Sequence, residues 1–347
     1  MAQTHDIAVF ICRAQPLHNG HLEVILTALA QAQHLVILVG SSGAPRSYRN
    51  PWTFEERLTM IHNSIPGHLR NRVLIKPLED HAYNDNRWIA GVQNEVTRAV
   101  WEFGYTEMPE IALIGHSKDN SSYYLKLFPQ WGSIEVPNHK NLDSTQVRAG
   151  YFCSQDMEQG IDISAMVPLP VEVWLKKFHK TPDYAYILNE YEHIRTYKKS
   201  WAAAPYPPIF TTVDAVVVQS GHVLLVRRGA APGKGLWAMP GGFVNQNERI
   251  ANAVIRELRE ETALKVPDPV LRGSIVAQDV FDDPNRSARG RTITHAFLFK
   301  LKDDVSLPRV KGMDDADKAR WCPIANLNRA DFFEDHYDII QNMLARI

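Results

Sequence analysis

Five short runs of branched aliphatic residues set the first constraint on the fold. They are Ile7–Ile11 (IAVFI), Leu35–Gly40 (LVILVG), Val73–Leu78 (VLIKPL), Ile111–Gly115 (IALIG) and Ser133–Val136 (SIEV). Each is apolar throughout rather than alternating, the pattern of strands covered on both faces. Amphipathic stretches separate them, among them HLEVILTALAQAQ (21–33) and RWIAGVQNEVTRAVWEF (87–103). This rhythm predicts an α/β fold with a doubly wound parallel sheet. Ligands of such sheets sit beyond the carboxyl ends of the strands.

A second pattern begins past residue 200. A polar helical stretch, YAYILNEYEHIRTYKKSW (184–201), runs into AAAPYPPIF (202–210), rich in proline. TVDAVVVQSGHVLLVRR (212–228) then reads as two strands around a Ser-Gly turn. The expected division is a first domain over 1–190, a helical and proline-rich connection over 191–208, and a second α/β domain with a mixed sheet over 209–347. A net charge of -1 without blocks of like charge argues against a nucleic-acid-binding surface. Cys12, Cys153 and Cys322 lie far apart with no CxxC pair, which argues against a zinc site or a disulfide framework. The chain has no basic leader and no stretch of 18 apolar residues, so the expectation is a cytoplasmic protein without membrane attachment. The oligomeric state is left open.

RELREE (256–261) packs three glutamates into six residues. On a helix of about 100° per residue, Ile250, Val254 and Leu258 form one stripe, and Arg249, Arg256 and Arg259 fall opposite it. Glu261 falls close to the stripe and Glu257 to one side, with Glu260 next to them. A solvated charge face is the bland alternative, but it belongs opposite the stripe. Carboxylates turned inward need a cation. Three and four residues apart, they can converge on one ion. Carboxylate oxygens suit a hard cation, Mg²⁺ or Mn²⁺. Pro240-Gly241-Gly242 makes a tight loop whose backbone carbonyl, at Gly241, would complete the shell. Asn245 to Glu248 reads as a helix-start pair.

Gly242, Glu248, Arg256-Glu257-Leu258 and Glu260-Glu261, with five, seven and one residues between them, resemble the Nudix box. The glycine usual after the last glutamate is Ala263 here. The resemblance implies an α/β/α sandwich that hydrolyses a nucleoside diphosphate linked to another group, with metal ions neutralising the diphosphate and activating water. FDDPNRSARGRT (281–292) holds Arg286, Arg289 and Arg291, which suit diphosphate oxygens or line a solvated loop. It resembles the P-x-R-x-x-R-G-R loop of ADP-ribose-cleaving Nudix enzymes, with Ser287-Ala288 where Asp-Pro is usual. For the catalytic base, MDDADKARW offers Asp314, Asp315 and Asp317 without distinction.

In the first half, CRAQPLHNGHLEVI (12–25) follows the first strand, and a helix opens near His21. A helix N-terminus after such a loop is an anion site. His18 and His21 would face one anion across a turn, flanked by Arg13 and Gln15 and with Gly20 in the loop. A metal reading of H-x-x-H lacks a third ligand nearby. These residues resemble the H-x-G-H signature of the nucleotidyltransferase superfamily, whose sheet is Rossmann-like. The longer G-R-x-Q-P-x-H-x-G-H form is similar to nicotinamide-mononucleotide adenylyltransferases of the archaeal type, with Cys12 in place of the leading glycine. RNPWTFEER (49–57), GHSKD (115–119) and LDSTQVR (142–148) fit the same family. The resemblance puts Lys118, Asp119, Ser144 and Thr145 at the ATP phosphates and Arg148 at the triphosphate. Asp143 stands where a serine is common and could cap the helix. YNDNRW (83–88) adds Trp88, a face for a pyridinium ring or a packed core residue, and Asn84, a partner for the carboxamide.

The two resemblances together imply a bifunctional nicotinamide-mononucleotide adenylyltransferase/Nudix family. One half would join nicotinamide mononucleotide to ATP, with Mg²⁺ on the triphosphate. The other would cleave ADP-ribose. Two other readings stay open: a pantetheine-phosphate or cytidylyl acceptor in the first half, and a Nudix half that senses NAD metabolites without cleaving them.

Overall fold

The computed structural model describes residues 4–115, 127–136, 142–153, 163–313 and 316–347. The chain divides into two compact units, Met1–Leu188 and Asn189–Ile347.

The first unit runs β1 (His5–Cys12), α1 (Asn19–Gln31), β2 (Ala32–Val39), α2 (Phe54–Ser64), β3 (Val73–Pro77), α3 (Asp85–Glu102), β4 (Ile111–Gly115), β5 (Gly132–Glu135), α4 (Ser144–Cys153) and α5 (Leu169–Phe178). A further helix, α6 (Pro182–Ser200), carries the chain past the division. The sheet order is β3-β2-β1-β4-β5 and every pairing is parallel. All five aliphatic runs are strands. Ile7, Ala8, Val9, Val36, Ile37 and Leu38 are fully buried, as two-sided coverage requires. One difference lies at β2. The helical reading ran through Gln33, but Ala32 to His34 belong to the strand, because His5 pairs with Ala32 and Ile7 with His34. Ladder hydrogen bonds to β1 outweigh the favourable helix propensity of AQAQ. The strand order reverses between β1 and β4, so the loop after β1 opens at the switch point.

The second unit runs β6 (Phe210–Gln219), β7 (His222–Arg228), β8 (Trp237–Ala238), β9 (Gly241–Phe243), α7 (Ile250–Thr262), α8 (Asp268–Gly273), β10 (Ile275–Phe281), β11 (Thr292–Lys300), β12 (Ala316–Pro323) and α9 (His336–Leu344). Its sheet has the order β10-β11-β6-β7-β12, with β8 on β7 and β9 on β6. Among the described strand pairs only β6 and β11 run parallel, so the sheet is mixed, as the sequence suggested. Ser220 and Gly221 both have positive φ, 46° and 73°, as a two-residue hairpin turn requires. Ala253, Val254, Ile255 and Leu258 of α7 pack on Val213, Ala215 and Val217 of β6 and Phe297 and Phe299 of β11. Each of the larger side chains buried there contributes about 1.5–3 kcal/mol, the two alanines less. That packing holds the RELREE helix rigidly against β6.

Helix α7 starts at Ile250, later than the Asn245–Glu248 pair implied. That pair closes a turn instead: Asn245 Nδ2 donates to Glu248 Oε2 at 3.2 Å, and Glu248 N–H donates to Asn245 O at 3.1 Å. The helix ends at Ala263 in the left-handed conformation (φ 51°) that glycine adopts more easily. Among the described residues no helix is long and apolar enough to cross a membrane.

Candidate active sites

The first site is built at the carboxyl end of β1. His18 precedes α1, and His21 lies in its first turn. Their rings stack with centroids 3.7 Å apart. The His18 backbone N–H donates to His21 Nδ1 at 3.3 Å. A neutral His21 therefore carries its proton on Nε2. Arg148 reaches the same loop from α4. Its Nη1 donates to Gln15 O at 2.7 Å and its Nη2 to Thr145 Oγ1 at 3.2 Å. Its Nε is buried and has no hydrogen-bond partner among the described residues. Burial, reinforced by the nearby Arg13 and Arg49 charges, pushes the guanidinium down to about 10, so it stays cationic at neutral pH. Ser144 Oγ donates to Pro16 O at 3.1 Å. Asp143 caps α4 by accepting from the Gln146 N–H at 2.9 Å. Two helix N-termini, two imidazoles and a buried cation thus face one loop, an arrangement suited to phosphate.

The second site lies where α7 meets β9. Glu257 Oε1 and Glu260 Oε2 converge on one nitrogen, Arg256 Nη1, at 2.7 and 2.8 Å. Arg256 also holds Glu248 at 2.9 Å and the Phe243 carbonyl at 3.2 Å. These partners, Glu248 foremost, raise its pKa. The sequence placed Arg256 on the solvated side; the structure makes it the clamp that gathers the glutamates. Glu261 is buried and accepts from the Gly241 N–H at 2.9 Å. A Cβ at Gly242 would lie 2.7 Å from the Glu257 carboxylate, and one at Gly241 only 2.2 Å from Val213 O. Backbone approach demands glycine at 241, while a side chain at 242 would displace the Glu257 carboxylate. Among the described residues no ready-made cage of three His, Cys, Asp or Glu exists. The donor set nonetheless suits a hard cation, since two carboxylates already share a single cationic atom and a third lies one turn away.

Residues 9–148 match the cytidylyltransferase-like family model and residues 209–343 the NUDIX domain model. The chain is similar to a bifunctional NMN adenylyltransferase/ADP ribose pyrophosphatase from Francisella tularensis, solved with AMP and a Mn ion. Identity is 36%, the TM-score is 0.88, and the match covers 98% of this chain and 99% of that one. The chain belongs to the bifunctional NMN adenylyltransferase/ADP-ribose pyrophosphatase family. Its first half is 34% identical to a nicotinamide/nicotinic acid mononucleotide adenylyltransferase of Acinetobacter baylyi, over 54% of this chain and 93% of that protein. Its second half is 35% identical to an ADP-ribose pyrophosphatase of Methanocaldococcus jannaschii, over 38% of this chain and 71% of that protein.

Within this family member, several residues sit differently from the sequence reading. Gln15 is buried, and both ends of its amide are spent on the Trp52 backbone, at 2.9 and 3.1 Å. It braces the loop against Trp52, with its carbonyl oxygen and one of its two amide hydrogens engaged there. Arg13 is exposed, and Gly20 is buried in the first turn of α1. Cys12, in the glycine position, is pushed up to about 12 by burial. Asn84 caps α3 by accepting from the Arg87 N–H at 3.0 Å, which leaves only its Nδ2 for a carboxamide. Trp88 is half-buried beside Phe128 and packs against the core of the first unit. Lys118 and Asp119 lie outside the described residues.

Arg57 closes the RNPWTFEER motif, but the sequence reading gave it no role. It is 1% exposed and donates to the carbonyls of Arg13, Gly40, Ser41 and Thr53. Only tertiary structure brings those four carbonyls together.

In the second unit, Arg286 lines the cleft but is buried in a bidentate pair with Asp335 through Nε and Nη2, at 2.9 and 3.0 Å. Arg291 pairs with Asp282 at 3.6 Å at the base of its loop. Arg289 lies 5.5 Å over the Phe243 ring, with no carboxylate within 4.0 Å among the described residues. It lines a cleft of about 120 Å³ with Asp214, Gly241, Glu261, Glu334 and His336. Asp214, Glu334 and His336 were not anticipated. Their partners are distant in sequence, and they match no spacing pattern. Asp314, Asp315 and the side chain of Asp317 lie outside the described residues.

Proposed function

We propose that the chain is two enzymes of NAD metabolism. The first unit transfers AMP from ATP to nicotinamide mononucleotide, giving NAD and pyrophosphate. The second hydrolyses ADP-ribose to AMP and ribose 5-phosphate with Mg²⁺, and Mn²⁺ as a substitute. The family relationship and the location of the sites support this reading, along with a place in the cytoplasm.

For the transferase, the buried Arg148 beside the stacked imidazoles carries the reading. In-line attack of the mononucleotide phosphate on the α-phosphorus of ATP needs two anions held together and added charge stabilised. Arg148, the His21 Nε2–H and the N-termini of α1 and α4 supply that, with Arg13 reaching in from the surface. Ser144 and Arg148 anchor the loop while Arg148 Nε and Thr145 remain for phosphate oxygens. Trp88 offers a face to the pyridinium ring.

For the hydrolase, Glu257, Glu260 and Glu261 would hold the metal, with Gly241 at the edge of the shell. Bound there, a divalent ion neutralises the diphosphate and lowers the pKa of water. Arg289 holds the diphosphate, and Arg256 keeps the glutamates in place. The test incubates purified protein with ADP-ribose and Mg²⁺ and follows AMP and ribose 5-phosphate beside Glu261→Gln. In parallel, ATP and nicotinamide mononucleotide are supplied to wild type and Arg148→Ala. Release by the wild type alone supports the hydrolase. Tight ADP-ribose binding without release would make the second unit a sensor. NAD formation that survives Arg148→Ala would sink the transferase assignment.

A further inference from the structure

Three acids face the second cleft: Asp214, Glu261 and Glu334. Asp214 accepts from Thr294 Oγ1 at 2.6 Å and lies 3.9 Å from Arg286. Glu261 belongs with the metal-binding glutamates. Glu334 has no such assignment. A carboxylate repels phosphoryl oxygens, so in a diphosphate site it must face a hydrogen-bond donor instead.

Glu334 is held deliberately. Its backbone is left-handed (φ 44°), a conformation that non-glycine residues rarely adopt. Such strain, unfavourable for a non-glycine residue, persists only where the surroundings enforce it. Its Oε1 accepts from the Ala288 N–H, in the arginine loop, at 3.1 Å. Its other oxygen takes no hydrogen bond among the described residues. Burial raises the carboxyl, and Arg289 opposes that rise. Two residues on, His336 Nδ1 accepts from the Met239 N–H at 3.1 Å. Burial pushes His336 down to about 3, so it is neutral and its single proton sits on Nε2. One turn therefore presents an open carboxylate oxygen and an uncharged N–H donor. Vicinal hydroxyls, each able to donate and accept, match that pair.

We propose that Glu334 is a substrate-positioning residue whose free oxygen accepts hydroxyl hydrogens from a ribose of the diphosphate substrate, with His336 Nε2–H as the companion donor. This rests on reading the cleft as a nucleoside-diphosphate-sugar site. The other hydroxyl species there is the attacking water, and kinetics separate the two.

The full-length protein is assayed with Mg²⁺ and ADP-ribose as wild type, Glu334→Gln and Glu334→Ala. Inorganic pyrophosphate, a diphosphate without sugar, serves as the competing probe. Loss of one hydrogen bond to a charged group should raise KM for ADP-ribose about tenfold, with kcat little changed and pyrophosphate inhibition unaltered. A large fall in kcat at constant KM would assign Glu334 to water and overturn the proposal. Parallel weakening of pyrophosphate would reduce Glu334 to a prop for Arg289, and an unchanged KM would also overturn it. If the wild type does not hydrolyse ADP-ribose, the hydrolase reading fails by itself. Direct ADP-ribose titration then decides: a tenfold rise in Kd in the variants supports Glu334, and no rise refutes it.

Discussion

Replacing Arg57 with methionine should selectively destabilise the first unit. The guanidinium donates to Arg13 O and Gly40 O at 2.7 Å, and to Thr53 O and Ser41 O at 3.2 Å. Methionine fills similar volume but leaves four carbonyls without their donor. Roughly 2 kcal/mol for each short bond and roughly 1 kcal/mol for each long one gives a gross loss of about 6 kcal/mol. Against that, the variant no longer buries a charge. Burial pushes the Arg57 guanidinium from 12.5 down to about 10, a recovery of roughly 3 kcal/mol. The net loss is then about 3 kcal/mol, a large share of the 5–15 kcal/mol typical of a domain. The two proposed activities report on the units separately in one urea series. Loss of NAD formation should move to lower urea by about 1 M or more, while ADP-ribose hydrolysis keeps its wild-type midpoint. Arg57→Lys should fall between, since an ammonium lacks the fork that spans three segments. Midpoints for Arg57→Met within about 0.3 M of wild type would show that water satisfies those carbonyls and would refute the reasoning.

Gly242→Ala places a Cβ 2.7 Å from the Glu257 carboxylate. The glutamate must move, so metal-dependent hydrolysis should fall by about two orders of magnitude, read as initial rates across a Mg²⁺ titration. Ala263→Gly relieves the left-handed residue that ends α7. It should stabilise the second unit by about 0.5–1 kcal/mol, read as a higher denaturation midpoint. His336 is pushed down to about 3 in the folded protein from 6.5. Its contribution is complete above 6.5 and is lost as pH falls from there towards about 3, because the unfolded chain takes up the proton first. The stability difference between wild type and His336→Asn, followed by urea unfolding, should therefore shrink on acidification through that window.

Much of the fold was legible because its signals are local. Aliphatic runs covered on both faces, a Ser-Gly turn with positive φ and an apolar stripe at helical spacing are properties of short segments. Edges were less legible. The first residues of β2 look helical alone and become strand only through pairing with β1, and Asn245–Glu248 looks like a cap but closes a turn. At the sites, His18, His21, Arg148 and the glutamates of RELREE carry fixed spacings along one loop or helix, so they could be named without coordinates.

What the sequence alone determined was which residue types could meet phosphate or metal, and on which elements. Tertiary structure alone decided which of them remain available. Gln15, Asn84 and Arg286 have the right chemistry, but part of each is engaged by Trp52, by α3 and by Asp335. Arg256 leaves the solvated side to gather three glutamates. Glu334 and His336 belong to no motif, and the RNPWTFEER motif that Arg57 closes does not tell what Arg57 binds, because these partners are separated along the chain. A hydrogen-bonding group is spent or free according to what packs against it, and packing between distant segments leaves no periodic trace in the sequence.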